Sequence, residues 1–280
     1  MANPARRTTD PGAKLTLQRR PPRFGEEDRR LSYGSYLKVP ELLELQELES
    51  DPPAHDELLF ITIHQVFELW FKEILFELES IRDHMFEGAA QRARHYLERV
   101  HAIENVLIAQ IPVLETMSPQ DFLEFRSHLA PASGFQSVQF REIEFVSGLK
   151  DPRYLERLSS SPGERERLER RLEEPTLWEG FCALLEHRGL AMPLDDEEAR
   201  RGTLVQIARD REQYFDEFMV SEALLTHDEF FALWRYRHVL MVERQIGSKT
   251  GTGGSTGAAY LRSTLDKRFY PDLWDLRSYL

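Results

Sequence analysis

The sequence contains a single cysteine, Cys182, among its 280 residues. One thiol cannot form an internal disulfide, a thiolate zinc site or the ligand set of an iron–sulfur cluster. The zinc-protease pattern His-Glu-x-x-His is also missing. These absences exclude disulfide scaffolds and the common thiolate-bound metal sites. They fit a reducing compartment, so we expect a cytoplasmic protein.

Long apolar runs and an excess of positive charge are missing as well. No uninterrupted stretch reaches the roughly 18–20 apolar residues that a helix needs to cross a bilayer, and the arginine-rich start lacks the apolar core of a secretory signal. The formal net charge is −12. Because such a charge repels nucleic-acid phosphates, we expect no nucleic-acid partner. Because a long apolar run is missing, we also expect no membrane partner.

Charge and composition divide the chain. Residues 1–30 carry eight Lys/Arg against four acids and show no amphipathic period, so we predict a flexible basic lead. Residues 31–280 are predicted to form a single all-α domain. Within it, residues 151–202 are predicted to be a variable helical insert with solvated faces, because Glu164–Glu174 is almost wholly charged and prolines divide the segment.

Helical spacing of apolar residues is the main structural signal. The stretch from His55 to Phe86 places apolar side chains at steps of three and four, which indicates a helix with a wide apolar face. No alternating strand pattern appears. We therefore predict an all-α fold, a helical bundle that encloses its ligand. The remaining predicted helices are Glu41–Glu49 after Pro40, Ala89–Thr116, one capped by Ser118, Phe135–Lys150, Gly202–Leu225, and His227–Ile246 capped by Thr226.

Two of the nine histidines, His64 and His238, lie on apolar helical faces. Phe60 precedes His64 by one turn, and Trp234 precedes His238 by one turn, so each imidazole shares its face with an aromatic ring. Imidazole is a usual ligand of a haem iron that handles oxygen, and a second imidazole opposite can hydrogen-bond what binds there. The pair suggests a haem enclosed by helices. For either histidine alone, ordinary packing in the core remains the simpler explanation.

A carboxylate-bridged di-iron centre is a competing oxygen-activating site. It needs Glu-x-x-His on two helices, together with two further glutamates. The chain supplies the tetrapeptide once, at Glu98 and His101. A single copy arises easily in a helix rich in glutamate, so we do not favour this alternative.

The glycine-rich loop Gly247–Gly257 resembles a phosphate cradle at first sight. No register gives a P-loop or a full Gly-x-Gly-x-x-Gly pattern, and a helix precedes the loop where those motifs need a strand. What remains is a backbone that could direct N–H groups and the hydroxyls of Thr252, Ser255 and Thr256 at a carboxylate. A plain flexible linker would explain the composition equally well.

Arg126 is a candidate for binding a carboxylate. It follows Phe125, and Phe122 lies one helical turn before it. An arginine beside aromatic side chains near a turn is suited to a bidentate contact with a carboxylate. Spacing alone leaves open that it is a solvated surface group.

Four separated strings, in this order, resemble tryptophan 2,3-dioxygenases. The resemblance runs from Tyr33 to the C-terminus and is weakest in residues 151–202. The strings are YGSYL (33–37), HDELLFITIHQVFELWFK (55–72), FRSHLAPASGFQS (125–137), and HVLMVERQIG (238–247) with GTGGSTG (251–257).

The resemblance implies a role for individual residues around a haem. His238 corresponds to the proximal ligand of the iron, and His64 to the distal histidine that accepts a hydrogen bond from the indole N–H. Phe60 would pack against the indole ring. Arg126 would bind the substrate carboxylate, and Thr252 would contact the ammonium and the carboxylate from the loop.

Four further positions carry weaker implications. Ser133 falls in the turn that the family places beside the haem. Tyr33 and Tyr36 match the pair that the family contributes to a neighbouring subunit's pocket. Phe122 stands where some members have a tyrosine whose hydroxyl assists the arginine, and losing that one hydrogen bond would weaken substrate binding by about 0.5–1.5 kcal/mol.

The activity implied by the resemblance is the insertion of both atoms of O2 across the indole C2–C3 bond of L-tryptophan. The product is N-formyl-L-kynurenine, formed in the first step of tryptophan catabolism by the kynurenine route. The family implies one haem b per subunit, ferrous iron for activity and a homotetramer. Two alternatives stay open: a histidine-ligated haem monooxygenase or hydroxylase acting on another indole or a tyrosine-like substrate, and a non-catalytic haem-binding sensor.

Overall fold

The computed structural model describes residues 31–157, 162–253 and 256–280. The predicted basic lead of residues 1–30 and the hydroxyl of Ser255 lie outside these residues. Every regular element in the described part of the chain is a helix, which confirms the predicted all-α class. The chain divides into two compact units, Met1–Gln46 and Glu47–Leu280.

The first unit contains two short helices, α1 (Tyr33–Leu37) and α2 (Val39–Leu42). Ser32 caps α1, because its side chain accepts a hydrogen bond from the Ser35 amide while the Ser35 hydroxyl accepts one from the Ser32 amide. Pro40 lies in the first turn of α2, as predicted, but the predicted helix Glu41–Glu49 was wrong because α2 already ends at Leu42. Neither helix has a buried residue.

The second unit is built around three long helices whose apolar faces meet. Helix α3 packs against α4, and α4 packs in turn against α11. The side chains of Leu78, Leu97 and Val220, one from each helix, are fully buried in this core. The helices of this unit are α3 (Glu57–Phe86), α4 (Ala90–Leu114), α5 (Pro119–Phe125), α6 (Val138–Ser147), α7 (Arg153–Arg157), α8 (Pro162–Glu173), α9 (Leu177–Glu186), α10 (Glu197–Arg209), α11 (Phe215–Ile246), α12 (Ala258–Arg262) and α13 (Pro271–Leu276).

Helix α11 corrects the prediction of two helices joined at Thr226. It runs unbroken for 32 residues, and the Thr226 hydroxyl donates to the carbonyl of Glu222, 2.9 Å away within the helix. A threonine bonded in this way to the preceding turn does not cap a helix. The predicted helix Gly202–Leu225 was also wrong, since its first part belongs to α10, which Asp196 caps.

Residues 151–202 contain α7, α8, α9 and the start of α10. The charged helix α8 is attached through Arg171, which is buried and pairs with Glu79 of α3 and Glu142 of α6. Helix α9 packs against α3 and buries Phe181 in the core. This segment therefore contributes to the core of its unit. That it is a variable insert stays a prediction.

The described residues contain neither a membrane-spanning helix nor a cluster of metal-binding side chains. Among the described residues we find no helix with both the length and the apolar character that crossing a bilayer requires. The same residues contain no cluster of three His, Cys, Asp or Glu side chains placed to hold a metal ion. His101 instead faces the carbonyl of Ala223 at 2.9 Å, and Glu98 faces Arg94 at 3.3 Å.

Candidate functional site

A cavity of about 250 Å³ lies between α3 and α11 in the second unit. Seven of the nine residues predicted from the sequence line it: Phe60, His64, Phe122, Arg126, Ser133, His238 and Thr252. They come from α3, α5, α11 and two loops, so the fold brings together positions nearly 200 residues apart. The other two, Tyr33 and Tyr36, lie on α1 in the first unit and have exposed rings.

His64 faces the cavity from about two turns inside α3. Its Nδ1 lies 2.7 Å from the carbonyl oxygen of Phe60. A carbonyl can only accept, so Nδ1 carries the hydrogen, and Nε2 keeps a free lone pair in the neutral ring. Burial lowers the pKa of His64, outweighing the opposite effects of the Phe60 carbonyl and of Glu68. The ring is therefore a neutral hydrogen-bond acceptor at neutral pH.

His238 faces the same cavity from α11. Its ring stacks on that of Trp234, one turn earlier, with a centroid separation of 5.0 Å and an interplanar angle of 20°. Burial lowers the pKa of His238 to about 4, and the neighbouring His64 adds to this shift. A neutral imidazole has a lone pair for a metal ion. The stacking on Trp234 holds the plane of the ring in place.

Aromatic rings form one wall of the cavity. The ring centroids of Phe60 and His64 lie 4.1 Å apart. The Phe60 ring also stacks on that of Phe122, with a centroid separation of 5.7 Å and an interplanar angle of 29°. Phe125 meets both phenylalanines edge to face. Helix α5 presents Phe122 and Phe125 because the predicted cap forms: Ser118 accepts from the Asp121 amide at 3.2 Å. The wall is suited to a flat aromatic ligand.

Arg126 follows directly after α5 and links the wall to the glycine-rich loop. One of its terminal nitrogens, Nη2, donates to the carbonyl of Thr250, while its Nε is buried and has no partner. The hydroxyl of Thr252 donates to the carbonyl of Ala132 at 2.6 Å. An unpartnered N–H of a guanidinium beside this loop is a ready site for a carboxylate.

The loop lies very close to the turn that contains Ser133. A Cβ added to Gly253 would stand 2.6 Å from the Cβ of Ser133, which is closer than real side chains approach. At Gly257, φ is +62°, and an added Cβ would stand 2.5 Å from the carbonyl oxygen of Lys249. Glycine is therefore required at both positions for the loop to cover the cavity in this way.

Three charged residues in the cavity wall were missed by the sequence reasoning: Arg141 and Glu144 on α6, and Arg235 on α11. All three are buried. In the sequence they are single charges on helices, a pattern typical of a solvated face, so no local signal could have identified them. Only the packing of α6 against the rest of the unit reveals them.

The residues of the cavity suit a haem. Opposed helices each present a neutral imidazole, and the intervening space is flanked by aromatic rings. Besides Arg126 Nε, two further buried N–H groups among the described lining residues, Arg141 Nε and Trp234 Nε1, have no partner. Unpartnered buried donors are costly unless a ligand supplies acceptors, and haem carries two carboxylates.

Comparison with known proteins assigns the family. A family model described as tryptophan 2,3-dioxygenase matches residues 22–193 and 194–280. The chain belongs to the tryptophan 2,3-dioxygenase family. This confirms the family inferred from the four sequence strings, and members of this family depend on haem. The roles of the individual site residues stay predictions.

Relatives named tryptophan 2,3-dioxygenase match almost the whole chain. The protein from Nocardioides sp. is 60% identical over 262 residues, which cover 92% of this chain and 97% of that protein. The protein from Herpetosiphon aurantiacus is 49% identical over 257 residues, 89% of this chain and 98% of its own length. The protein from Myxococcus xanthus is 39% identical over 262 residues, 90% of each chain.

Proposed function

We propose that this protein is a haem-dependent dioxygenase that inserts both atoms of O2 across the indole C2–C3 bond of L-tryptophan. The product is N-formyl-L-kynurenine, and the reaction opens tryptophan catabolism by the kynurenine route. One observation carries the proposal: two neutral imidazoles, His64 and His238, face one aromatic-lined cavity that also holds the unpartnered Nε of Arg126. Family membership supports the same reaction.

The cofactor is proposed to be one haem b per subunit. His238 would hold its iron through the lone pair of a neutral imidazole, and Ser133, which lines the same cavity, would lie beside the cofactor. When bound, ferrous haem supplies the iron at which dioxygen is activated. The protein's own residues bind the substrate, orient it and exclude water.

Three anchors fix the tryptophan. The Nε2 of His64 accepts the indole N–H, because Nδ1 is already occupied by the Phe60 carbonyl. Arg126 binds the carboxylate through its free Nε, and the Thr252 oxygen has lone pairs left to accept from the ammonium. Since the aromatic wall holds the ring, the C2–C3 bond has one orientation in the cavity. Such positioning removes much of the entropic barrier to reaction.

The glycine-rich loop completes the enclosure. Its two contacts, Thr250 with Arg126 and Thr252 with Ala132, hold the described part of the loop over the cavity. Covering the site excludes water and strengthens the contact between the guanidinium and the carboxylate. We also propose a homotetramer in which Tyr33 and Tyr36 reach a neighbouring subunit's pocket.

The number of oxygen atoms that the product takes from O2 tests the proposed reaction. The ferrous, haem-loaded protein is mixed with tryptophan under isotopically labelled O2, and the product is identified by mass spectrometry. We expect the product to contain two labelled oxygen atoms. One labelled atom would instead indicate the monooxygenase alternative. No product, with haem bound, would indicate a sensor.

A further inference from the structure

Three buried polar side chains connect α4, α6 and α11 outside the cavity. His227 of α11 stands between Glu104 of α4 and Ser147 of α6. Its Nδ1 lies 2.7 Å from the Glu104 carboxylate, and its Nε2 lies 2.9 Å from the Ser147 hydroxyl. All three residues are at most 2% exposed. They are not among the described residues that line the cavity, and the mechanism above does not use them.

This network contributes direction rather than stability. Burial raises the pKa of Glu104, against the opposite effect of His227, and the second carboxylate oxygen, Oε2, has no hydrogen-bond partner among the described residues. A buried polar atom without a partner lowers stability, and well-packed apolar side chains of similar volume often replace such a pair at no loss. An imidazole bonded at both nitrogens, however, has one orientation. It therefore fixes the rotation of α11 against two helices at once.

The face of α11 that carries His227 also carries His238. The two histidines are eleven positions apart, which is about three helical turns, so their rings lie on one side of the helix. Phe231 and Trp234 fill the interval. The ring centroids are 6.3 Å apart from His227 to Phe231, 6.4 Å from Phe231 to Trp234 and 5.0 Å from Trp234 to His238. These four rings form a continuous row, the ring row, which begins at the hydrogen-bonded network and ends at the cavity.

Helix α6 contacts the ring row at two points. Ser147 contacts His227, as described, and Phe140 lies about two turns earlier on the same side of α6. The ring of Phe140 stacks on that of Phe231, with a centroid separation of 5.0 Å and an interplanar angle of 26°, and lies 5.2 Å from that of Trp234. A rotation of α11 would therefore break hydrogen bonds at one point and separate stacked rings at the other.

We propose that His227 is a positioning residue for His238. Glu104 and Ser147 hold the His227 ring, which sets the rotation of α11 and, through the ring row, the plane in which the His238 imidazole faces the haem iron. The inference rests on the proposed function, because it takes His238 to be the iron ligand. The groups that orient a ligating imidazole also tune its bond to the metal, so this network acts on the iron from about three turns away.

The main test removes both members of the buried pair together. In the double variant Glu104→Leu/His227→Phe no carboxylate is left unpaired, and a phenyl ring can keep the stack that His227 makes with Phe269 at 5.1 Å. We expect this variant to fold with an unfolding midpoint near that of wild type. Resonance Raman spectra of the ferrous, haem-loaded protein give the iron–imidazole stretching band. The band should shift and broaden, and haem should dissociate roughly tenfold faster.

Single variants separate the hydrogen bonds from the charge. In Glu104→Gln the amide oxygen can still accept a hydrogen bond from Nδ1 of His227, so the band should stay at its wild-type position. Ser147→Ala removes only the contact at Nε2. It should shift the band in the same direction as the double variant, but by less.

His101→Leu is the matched control. His101 lies on α4, one turn before Glu104, and its Nε2 lies 2.9 Å from the carbonyl of Ala223 on α11. The variant therefore deletes a hydrogen bond between the same two helices but outside the ring row. We expect a lower unfolding midpoint with an unchanged iron–imidazole band.

A wild-type band in the double variant, or the same shift in His101→Leu, would overturn the inference and leave His238 as the ligand. If the double variant does not fold, Ser147→Ala compared with His101→Leu decides the question in the same way. If haem-loaded wild type shows no iron–imidazole band, the proposed ligand itself is wrong.

Discussion

The two histidines of the cavity, His64 and His238, differ in the contacts that hold their rings. His64 commits Nδ1 to the Phe60 carbonyl, whereas His238 is held by stacking on Trp234. We therefore expect His238→Ala to lose stable haem binding, since the described lining residues include no third imidazole. His64→Ala should keep haem and lose only part of the activity. The Soret absorbance per chain measures this contrast, and a wild-type value in His238→Ala would refute the ligand assignment.

Arg126 should matter far more for tryptophan than for indole. Its Nε is free for a carboxylate, and truncating the side chain would leave that charge unpaired in a closed pocket at a cost of about 2–5 kcal/mol. Arg126→Ala is expected to lower kcat/KM for tryptophan roughly 30-fold to several-thousand-fold. The binding of indole, which has no carboxylate, should change little.

Arg126→Lys is the companion variant, and it should recover only part of the loss because a point charge cannot reproduce the fork. Steady-state kinetics with tryptophan and competition by indole measure both effects. A decrease in kcat/KM of less than about fivefold for Arg126→Ala would mean that the residue is structural, because that corresponds to under ~1 kcal/mol.

The sequence reveals site residues only where they break a local pattern. His64 and His238 could be found because an imidazole on an otherwise apolar helical face is conspicuous. Arg141 and Arg235 could not, because charged residues on a helix are expected to face solvent. Their burial depends on where α6 and α11 meet, which is a property of the tertiary structure.

At the scale of elements, the length of α11 shows a second limit of sequence reasoning. Thr226 was predicted to cap a new helix, yet its hydroxyl bonds within α11 and the helix continues without a break. Asp228 is fully buried and accepts from the amides of Phe269 and Tyr270 and from the indole of Trp274. This carboxylate, two residues after the predicted cap, thus attaches the segment around α13 to the middle of α11. By contrast, α3 was predicted to within two residues, because its apolar period is uninterrupted.

The close contact between the glycine-rich loop and the Ser133 turn can be tested by substituting Gly253. Gly253→Ala places a methyl group 2.6 Å from the Cβ of Ser133, so the loop must move away from the turn. We expect a higher KM for tryptophan, because Thr252 of this loop is proposed to bind the substrate. Haem content should stay unchanged, because His238 lies on α11. Gly202→Ala, in α10, is the control, since nothing lies within 4 Å of its added Cβ. Equal kinetics in the two variants would contradict a closed loop.

The contact between α4 and α11 should depend on pH through His101. Burial lowers the pKa of His101 from 6.5 to about 4, with the nearby His227 adding to the shift. Below pH 6.5, His101 is protonated in the unfolded chain but stays neutral in the folded chain. The free energy of unfolding therefore falls with decreasing pH until about pH 4, where His101 is protonated in both states and the decrease is complete. Thermal unfolding across this range should become less pH-dependent in His101→Gln. An unchanged slope in that variant would show that other groups control acid unfolding.

At the scale of the whole molecule, the first unit shows a surface suited to a partner. Helix α1 has five residues and buries none of them, and Tyr33 and Tyr36 are 78% and 71% exposed. A helix this short is not stable without tertiary contacts. Exposed aromatic side chains are typical anchors of protein interfaces. A second copy of the chain is the partner that the family implies.

We therefore expect a homotetramer in which α1 completes a neighbouring subunit's pocket. Deleting residues 1–30 should leave both the tetramer and tryptophan affinity intact, whereas deleting residues 1–40 should weaken tryptophan binding because it removes Tyr33 and Tyr36. The double variant Tyr33→Ala/Tyr36→Ala separates the side chains from the backbone, and it should reproduce the weaker binding with haem content unchanged. Light scattering gives the mass, and tryptophan titration gives the affinity. A fully active monomer would refute this assembly, because in a monomer α1 would have no neighbouring pocket to complete.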